Sequence, residues 1–488
     1  MKHTAQRSII FIIFLVVFSN TYAQKEATWW YFGDHTGLNF TEVLKGKATI
    51  PTCVSGPIST WEGCFSISDR NGNFLLASDG INVYNKYGNL VNNGTGLNGN
   101  SDATQSGIVI PRPSYPNQYY IVTVPSAQAT RVGINYSIVD LNADGGVGRV
   151  TDKNILISLN GSNLTLGDLY ENITSVRHAN KIDYWLAHKA RDKFLVWLVT
   201  KDGIKSDPIV TNTGRDLGTD NDPNGKTLGY IKFSPDGKKI AHPGGDTGWL
   251  TVGDFDNATG KITNIRERNL PVEHRQPLYG LEFSPNGKFI YVAEGWRKLL
   301  RMVPTDDIVG GVIKKYNINP TAIQSGPDGK IYGINTYSNT LYIINDPDHG
   351  GTDITTLNNF FTNGLAGLGL PTFIASFFYV EIDGDNVFCF DSQKSFKVKI
   401  ETIGSLSQKP KYTVWDFGDG TNLTAFDDTN VPGTQSKTHT YDRPGNYKIT
   451  VKIYDENKTE IPEMMQTFDV NVKPCVLPVN PNKHNNTN

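Results

Sequence analysis

Few side chains in this 488-residue chain stand at spacings that suggest chemistry. Arg177, His178 and His188 fall in neighbouring apolar runs, with Asp183 and Lys189 beside them. Two imidazoles facing one funnel could hold a polar ligand or a metal. A metal needs a third ligand that the spacing does not place, so satisfied strand or turn histidines are the competing reading. His242, in Ile-Ala-His-Pro-Gly-Gly, and the pair His274-Arg275 lie near expected strand ends, where binding loops sit. Glu62 and Gln105 fall near the starts of expected inner strands, at places comparable with Thr174, Thr227 and Pro277. Such a mixed polar ring suits a modest polar ligand or ordered water, not the rigid acid pair of a glycosidase. There is no Gly-x-Ser-x-Gly elbow, no His-Glu-x-x-His and no phosphate-binding glycine loop. No catalytic residue, metal or cofactor is assigned. Trp29, Trp30, Trp61, Trp249 and Trp296 could stack on sugars, with core or inter-blade packing as the alternative.

The elements that would position these residues are announced by a recurring phrase. Phe233-Ser-Pro-Asp-Gly-Lys238, Phe283-Ser-Pro-Asn-Gly-Lys288 and Ser325-Gly-Pro-Asp-Gly-Lys330 each sit between two apolar runs. Asp-Gly or Asn-Gly there predicts a tight hairpin, because Gly tolerates positive φ. A recurrence of roughly 40–50 residues with several strands per period is the pattern of a β-propeller blade. Three earlier stretches follow the same grammar, at Gly63–Tyr84, Ile108–Val139 and Ser175–Val199. That makes six internal units, with strand-like pieces left over at Trp29–Thr41 and Leu368–Ile374. The expected fold is all-β: a seven-bladed propeller over 24–376, its last blade shared between both ends, with six blades as the alternative. From about Phe377 short alternating runs predict a β-sandwich over 377–474, and 475–488 reads as a disordered tail.

Composition excludes some classes. A formal charge of −2 leaves no basic footprint for nucleic acid. Lys2 and Arg7 before the apolar run Ile9–Phe18, then Thr21-Tyr22-Ala23, read as a signal peptide over 1–23. An exported, periplasmic or cell-surface protein with no membrane span follows from that. Export permits disulfides, so Cys53–Cys64 and Cys389–Cys475 are candidate pairs.

Trp415-Asp-Phe-Gly-Asp-Gly420, Thr438-His-Thr-Tyr441 and Pro444-Gly-Asn-Tyr447 resemble the PKD (polycystic kidney disease) domain. Asp416 and Asp419 read as turn residues there, with calcium as the alternative. Trp30-Tyr-Phe-Gly33, Glu62-Gly-Cys64, Asn93–Leu97, Thr104-Gln-Ser106, His178-Ala-Asn180 and Gly369–Ile374 resemble exported propeller–PKD proteins of Bacteroidetes. Many of those carry a C-terminal sorting domain of the type IX secretion system; this sequence stops soon after the sandwich, which favours the periplasm or attachment to a surface complex. The resemblance brings no catalytic activity. The expected function is a non-enzymatic binding scaffold, its loops engaging a protein or glycan partner and the PKD-like module acting as spacer or second contact. A polysaccharide hydrolase or lyase, and a structural subunit of an outer-membrane or gliding complex, are the alternatives.

Overall fold

The computed structural model describes residues 25–126, 132–216, 228–245, 247–271, 277–295, 299–378, 387–389, 394–400, 409–421, 426–428 and 433–473. The expected signal segment, His274, Arg275, Thr227, Trp296, Cys475 and the tail lie outside them.

The repeated phrase makes hairpins for a local reason. Gly237 and Gly287 take φ of 66° and 70°, open to residues without a Cβ. The serine hydroxyl then closes the turn: Ser234 Oγ accepts from Lys239 N at 2.9 Å, and Ser284 Oγ from Phe289 N at 3.0 Å. Each hairpin grows outward into an antiparallel meander. The fourth blade runs Lys232–Phe233, Lys239–Pro243, Trp249–Asp256, Lys261–Asn269; the fifth Leu278–Phe283, Phe289–Glu294, Leu300–Pro304, Lys314–Tyr316; the sixth Ala322–Ser325, Ile331–Ile334, Leu341–Ile344, Ile354–Leu357. The first blade starts at Phe65–Ser68, the second at Gly107–Pro111 and the third at Thr174–Arg177. A further sheet joins Trp29–Phe32, Asp34–Asn39 and Thr52–Ser59.

Consecutive inner strands touch one another from the first blade to the sixth, and Trp29–Phe32 touches Phe65–Ser68. The ring closes on the other side through Tyr332, whose ring lies 5.8 Å from Trp30 and 5.0 Å from Phe40. Among the described residues, seven sheets follow one another in this way.

The leftover C-terminal piece does not join the N-terminal sheet as a ladder strand, contrary to expectation. It runs parallel to the start of the first blade, through one bridge between Cys64 and Pro371. Leu368 N donates to Trp61 O at 2.8 Å and Thr372 N to Cys64 O at 2.9 Å. Phe373 packs on Trp30 at 5.7 Å. On the far side Leu370 N donates to the Tyr230 hydroxyl of the fourth blade at 3.0 Å, and Ser376 Oγ accepts from Arg177 N of the third at 3.2 Å. A segment bonded to opposite sides of a ring crosses its axis. The chain fills its own channel, and the physical reason is visible at Gly367 and Gly369: a Cβ there would come within 2.5 Å of Trp61 O and 2.4 Å of Glu62 O.

Lower on the axis, the residue before each hairpin phrase faces inward. Lys232 Nζ meets Glu282 Oε2 at 3.1 Å and also donates to Gln324 Oε1 of the sixth blade. Only an axis-facing side chain can pass the fifth blade to reach the sixth.

The C-terminal domain has a five-stranded sheet containing Tyr412–Asp416, Gly445–Tyr454 and Gln466–Lys473, and a two-stranded sheet of Lys394–Ile400 with Gly433–His439. Phe396, Trp415, Phe417, Tyr441 and Ile449 form its core. Asp416 Oδ1 accepts from Gly418 N and Asp419 Oδ1 from Thr421 N, the turn roles expected. His439 Nε2 lies 2.7 Å from Asp419 Oδ2 and stacks on Phe417 at 4.0 Å.

Candidate functional site at the mouth of the ring

The face where the inner strands begin gathers carboxyl groups. Glu62 N donates to Ser101 O and Gly63 N to Ala103 O, both at 2.9 Å, which sets Asp102 beside Glu62. Gln105 N donates to Glu171 O at 2.9 Å, and Thr104 N to Glu171 Oε2 at 3.1 Å. Glu62, Asp102 and Glu171 therefore lie along one hydrogen-bonded run. Glu62 is 7 % exposed and accepts from the Tyr279 hydroxyl, which reaches across from the fifth blade, at 3.1 Å. Burial first, then the charges of Glu171 and Asp102, push the Glu62 carboxyl up to about 9. It is a neutral acid at physiological pH. Tyr230 and Tyr279, ring centroids 5.6 Å apart, fill the space between Glu62 and Leu370.

That raised value fixes a pH dependence. The carboxyl ionises near 4.5 when unfolded and near 9 when folded. Between those values the native state holds a proton that the unfolded chain has lost. The stabilisation is complete below about pH 4.5 and disappears as pH rises through about 9. Glu62→Gln cannot ionise, so its stability relative to the parent should grow with pH, to about 3 kcal/mol near pH 7. Urea midpoints of both proteins from pH 7 to 9 check this; a gap that shrinks over that range contradicts it.

Gln105 is a stitch between blades: its Oε1 accepts from Ile231 N at 2.9 Å and Ile173 N at 3.3 Å. His178 and His188 do not share a site. His178 lies in the turn beyond Arg177, stacked on Trp185 at 5.0 Å, with its Nδ1 accepting from Asn180 N. His188 is fully buried near the opposite end of its strand, Nδ1 donating to Asn172 O at 2.6 Å and Nε2 accepting from Tyr170 N at 3.1 Å. Burial, opposed by the bond to Asn172 O and helped by the Lys189 charge, lowers its pKa to about 4. His188→Ala would leave two buried backbone groups unpaired, and a loss of about 1–3 kcal/mol is expected in urea unfolding at pH 7. His242 is buried beside it, Nε2 3.5 Å from Asn172 Nδ2, with Nδ1 unpartnered; burial and the nearby Lys189 charge lower its pKa well below the usual range. Arg177 sits at the opposite rim, its main chain tied to Ser376. No group of three metal-ligating side chains occurs among the described residues.

The Cys53–Cys64 pair is corrected: both thiols are free. Cys53 stands opposite Leu38 in the N-terminal sheet, whereas Cys64 is buried on the axis against Pro371, so a Gly33–Thr60 contact and a sheet boundary separate them. For the Cys389–Cys475 candidate, Cys475 and the Cys389 side chain lie outside the described residues.

One of the five tryptophans considered for sugar stacking stands at the mouth. Trp61, 40 % exposed, packs against Tyr337, 61 % exposed, with ring centroids 4.6 Å apart. Tyr337 comes from the sixth blade, and its N donates to Ala366 O at 2.9 Å, so the axial segment brings the two rings together. Nothing in the spacing of 61 and 337 signals this.

Among curated proteins none matches the chain significantly in sequence. Solved structures resemble the propeller part. A periplasmic gluconolactonase of Pseudomonas aeruginosa is 13 % identical, with a TM-score of 0.43, over 70 % of this chain and 97 % of that one. A candidate 6-phosphogluconolactonase of Bacteroides uniformis is 14 % identical, TM-score 0.43, over 68 % and 96 %. The β-propeller domain of Cps50 from Myceliophteria thermophila is 10 % identical, TM-score 0.39, over 64 % and 93 %. At these scores the likenesses say nothing about activity. No helix among the described residues is long and apolar enough to cross a membrane. Residues 389–459 match the PKD domain model, and the sandwich carries the Trp415, His439 and Tyr441 packing described above; this chain is a β-propeller followed by a PKD domain.

Proposed function

We propose that this is an exported, non-enzymatic binding protein whose propeller holds a partner at the mouth of the ring, with the PKD domain as spacer or second contact. One observation carries this reading: the axis is filled by the chain itself, and the aromatic surface left at its mouth is exposed. The polar groups nearest the axis are engaged internally, Glu62 by Tyr279 and Gln105 by two strand amides. Both side chains thus help to hold the blades together. Export rests on the first 23 residues, and the periplasm or cell surface is the proposed location.

The test is recovery of partners from cell envelopes with the immobilised full chain, compared with Trp61→Ala and Tyr337→Ala. Loss of the same partner in both variants supports the reading. Retention unchanged by either overturns it, as does turnover of a glycan or ester by purified protein that Glu62→Gln abolishes.

A further inference from the structure

We infer that the Trp61–Tyr337 pair, its rings set edge to face at 64°, is the aromatic contact for an uncharged glycan. This rests on the binding role proposed above and names the ligand class. Both rings keep a large part of their surface in solvent, 40 % for Trp61 and 61 % for Tyr337. Tyr337 also holds φ at 51°, a conformation that side chains other than Gly rarely adopt. A strained backbone that presents a large ring to solvent points to a surface kept for contact.

The surroundings choose the ligand. Leu365 is 44 % exposed beside the pair. The two segments forming this rim, 335–345 and 358–370, contain no Lys, Arg, Asp or Glu. They supply amides and hydroxyls instead, among them Ser338, Thr362 and Asn363. On the other side stand the carboxyl groups of Asp102, Glu62 and Glu171. Asp102 is the partly exposed carboxyl of the three, and with no cation in those two segments an anionic polymer is disfavoured. A basic peptide would meet few carboxylates here: Glu62 and Glu171 are buried and hydrogen-bonded, leaving Asp34, held by Ser59, and Asp102. A sugar ring fits both halves: its C–H face lies on an aromatic surface, and its hydroxyls exchange hydrogen bonds with neutral amides and acceptor oxygens.

The full chain is titrated with soluble neutral polysaccharides (a β-glucan, a xylan and a galactomannan), with alginate and polygalacturonate as acidic polymers, by calorimetry and tryptophan fluorescence. Binding of at least one neutral polymer, with both acidic polymers at least tenfold weaker, is expected. Trp61→Ala and Tyr337→Ala should each weaken it about tenfold, the loss of one stacking contact. Tyr337→Gly separates binding from folding: it should raise the unfolding midpoint by relieving the backbone while losing the glycan. Absence of binding to any neutral polymer overturns the assignment, as does equal binding of the acidic ones or indifference to both alanine variants. If glycans fail but an envelope protein or basic peptide is still lost with Trp61→Ala, the ligand class is wrong and the binding role survives. If that capture is also insensitive, both fall.

Discussion

Trp30→Ala is expected to lower the urea midpoint of the propeller by an amount worth about 3–5 kcal/mol, the cost of truncating a large buried aromatic. The residue is completely buried and meets three parts of the chain at once. Its ring packs on Phe40 at 4.9 Å, Tyr332 at 5.8 Å and Phe373 at 5.7 Å, and its Nε1 donates to Ala27 O at 2.8 Å. The N-terminal sheet, the sixth blade and the axial segment all lose a neighbour together. Phe373→Ala removes part of the same junction, so the double variant should cost less than the two losses added. Strict additivity would show that the axial segment is not packed on Trp30.

The second large effect lies deeper. Lys232 and Glu282 are 3 % and 4 % exposed at the side chain, and Glu282 also accepts from Ser325 N at 3.0 Å and Phe283 N at 2.9 Å. Lys232→Met leaves a buried carboxylate without its cation, for an expected loss of about 3–5 kcal/mol. Neutralising both, in Lys232→Met with Glu282→Gln, should return much of that, because two charges no longer have to be desolvated. Equilibrium denaturation of the two single variants and the double variant measures the coupling. A double variant worse than either single would mean that the pair contributes net stability, against this reading.

The hairpins were legible because their causes are local. A Gly with positive φ is written into all three copies, and a Ser that accepts its own turn's amide into two of them, Gly326 standing in the serine's place in the third. The residues facing the axis could be placed in register, but not what they meet. Tyr230 bonds to a residue 140 positions away and Tyr279 to one 217 away, and no spacing encodes such partners. For the same reason Glu62 could be named, while the burial that chiefly raises its pKa and the neighbours Glu171 and Asp102 that add to it could not. The histidines misled in a different way. His178 and His188 are close in sequence, but a strand running from one face of the ring towards the other separates a turn residue from a buried one. The cysteine pairing failed because a short loop in sequence spans two sheets in space. The C-terminal piece is expected in the shared blade because a ring has to close; closure by packing on Trp30 and Cys64 meets the same need without a ladder strand.

Everything said about where a partner can bind depends on residues 364–378 occupying the axis. Native-state hydrogen exchange over that peptide tests it most directly. The amides of Leu368, Leu370 and Thr372 donate to Trp61 O, the Tyr230 hydroxyl and Cys64 O in the interior of the ring. Protection comparable to that of the inner strand Leu278–Phe283 is the expected result. Exchange at the rate of a solvated loop would mean an open channel, and would contradict it.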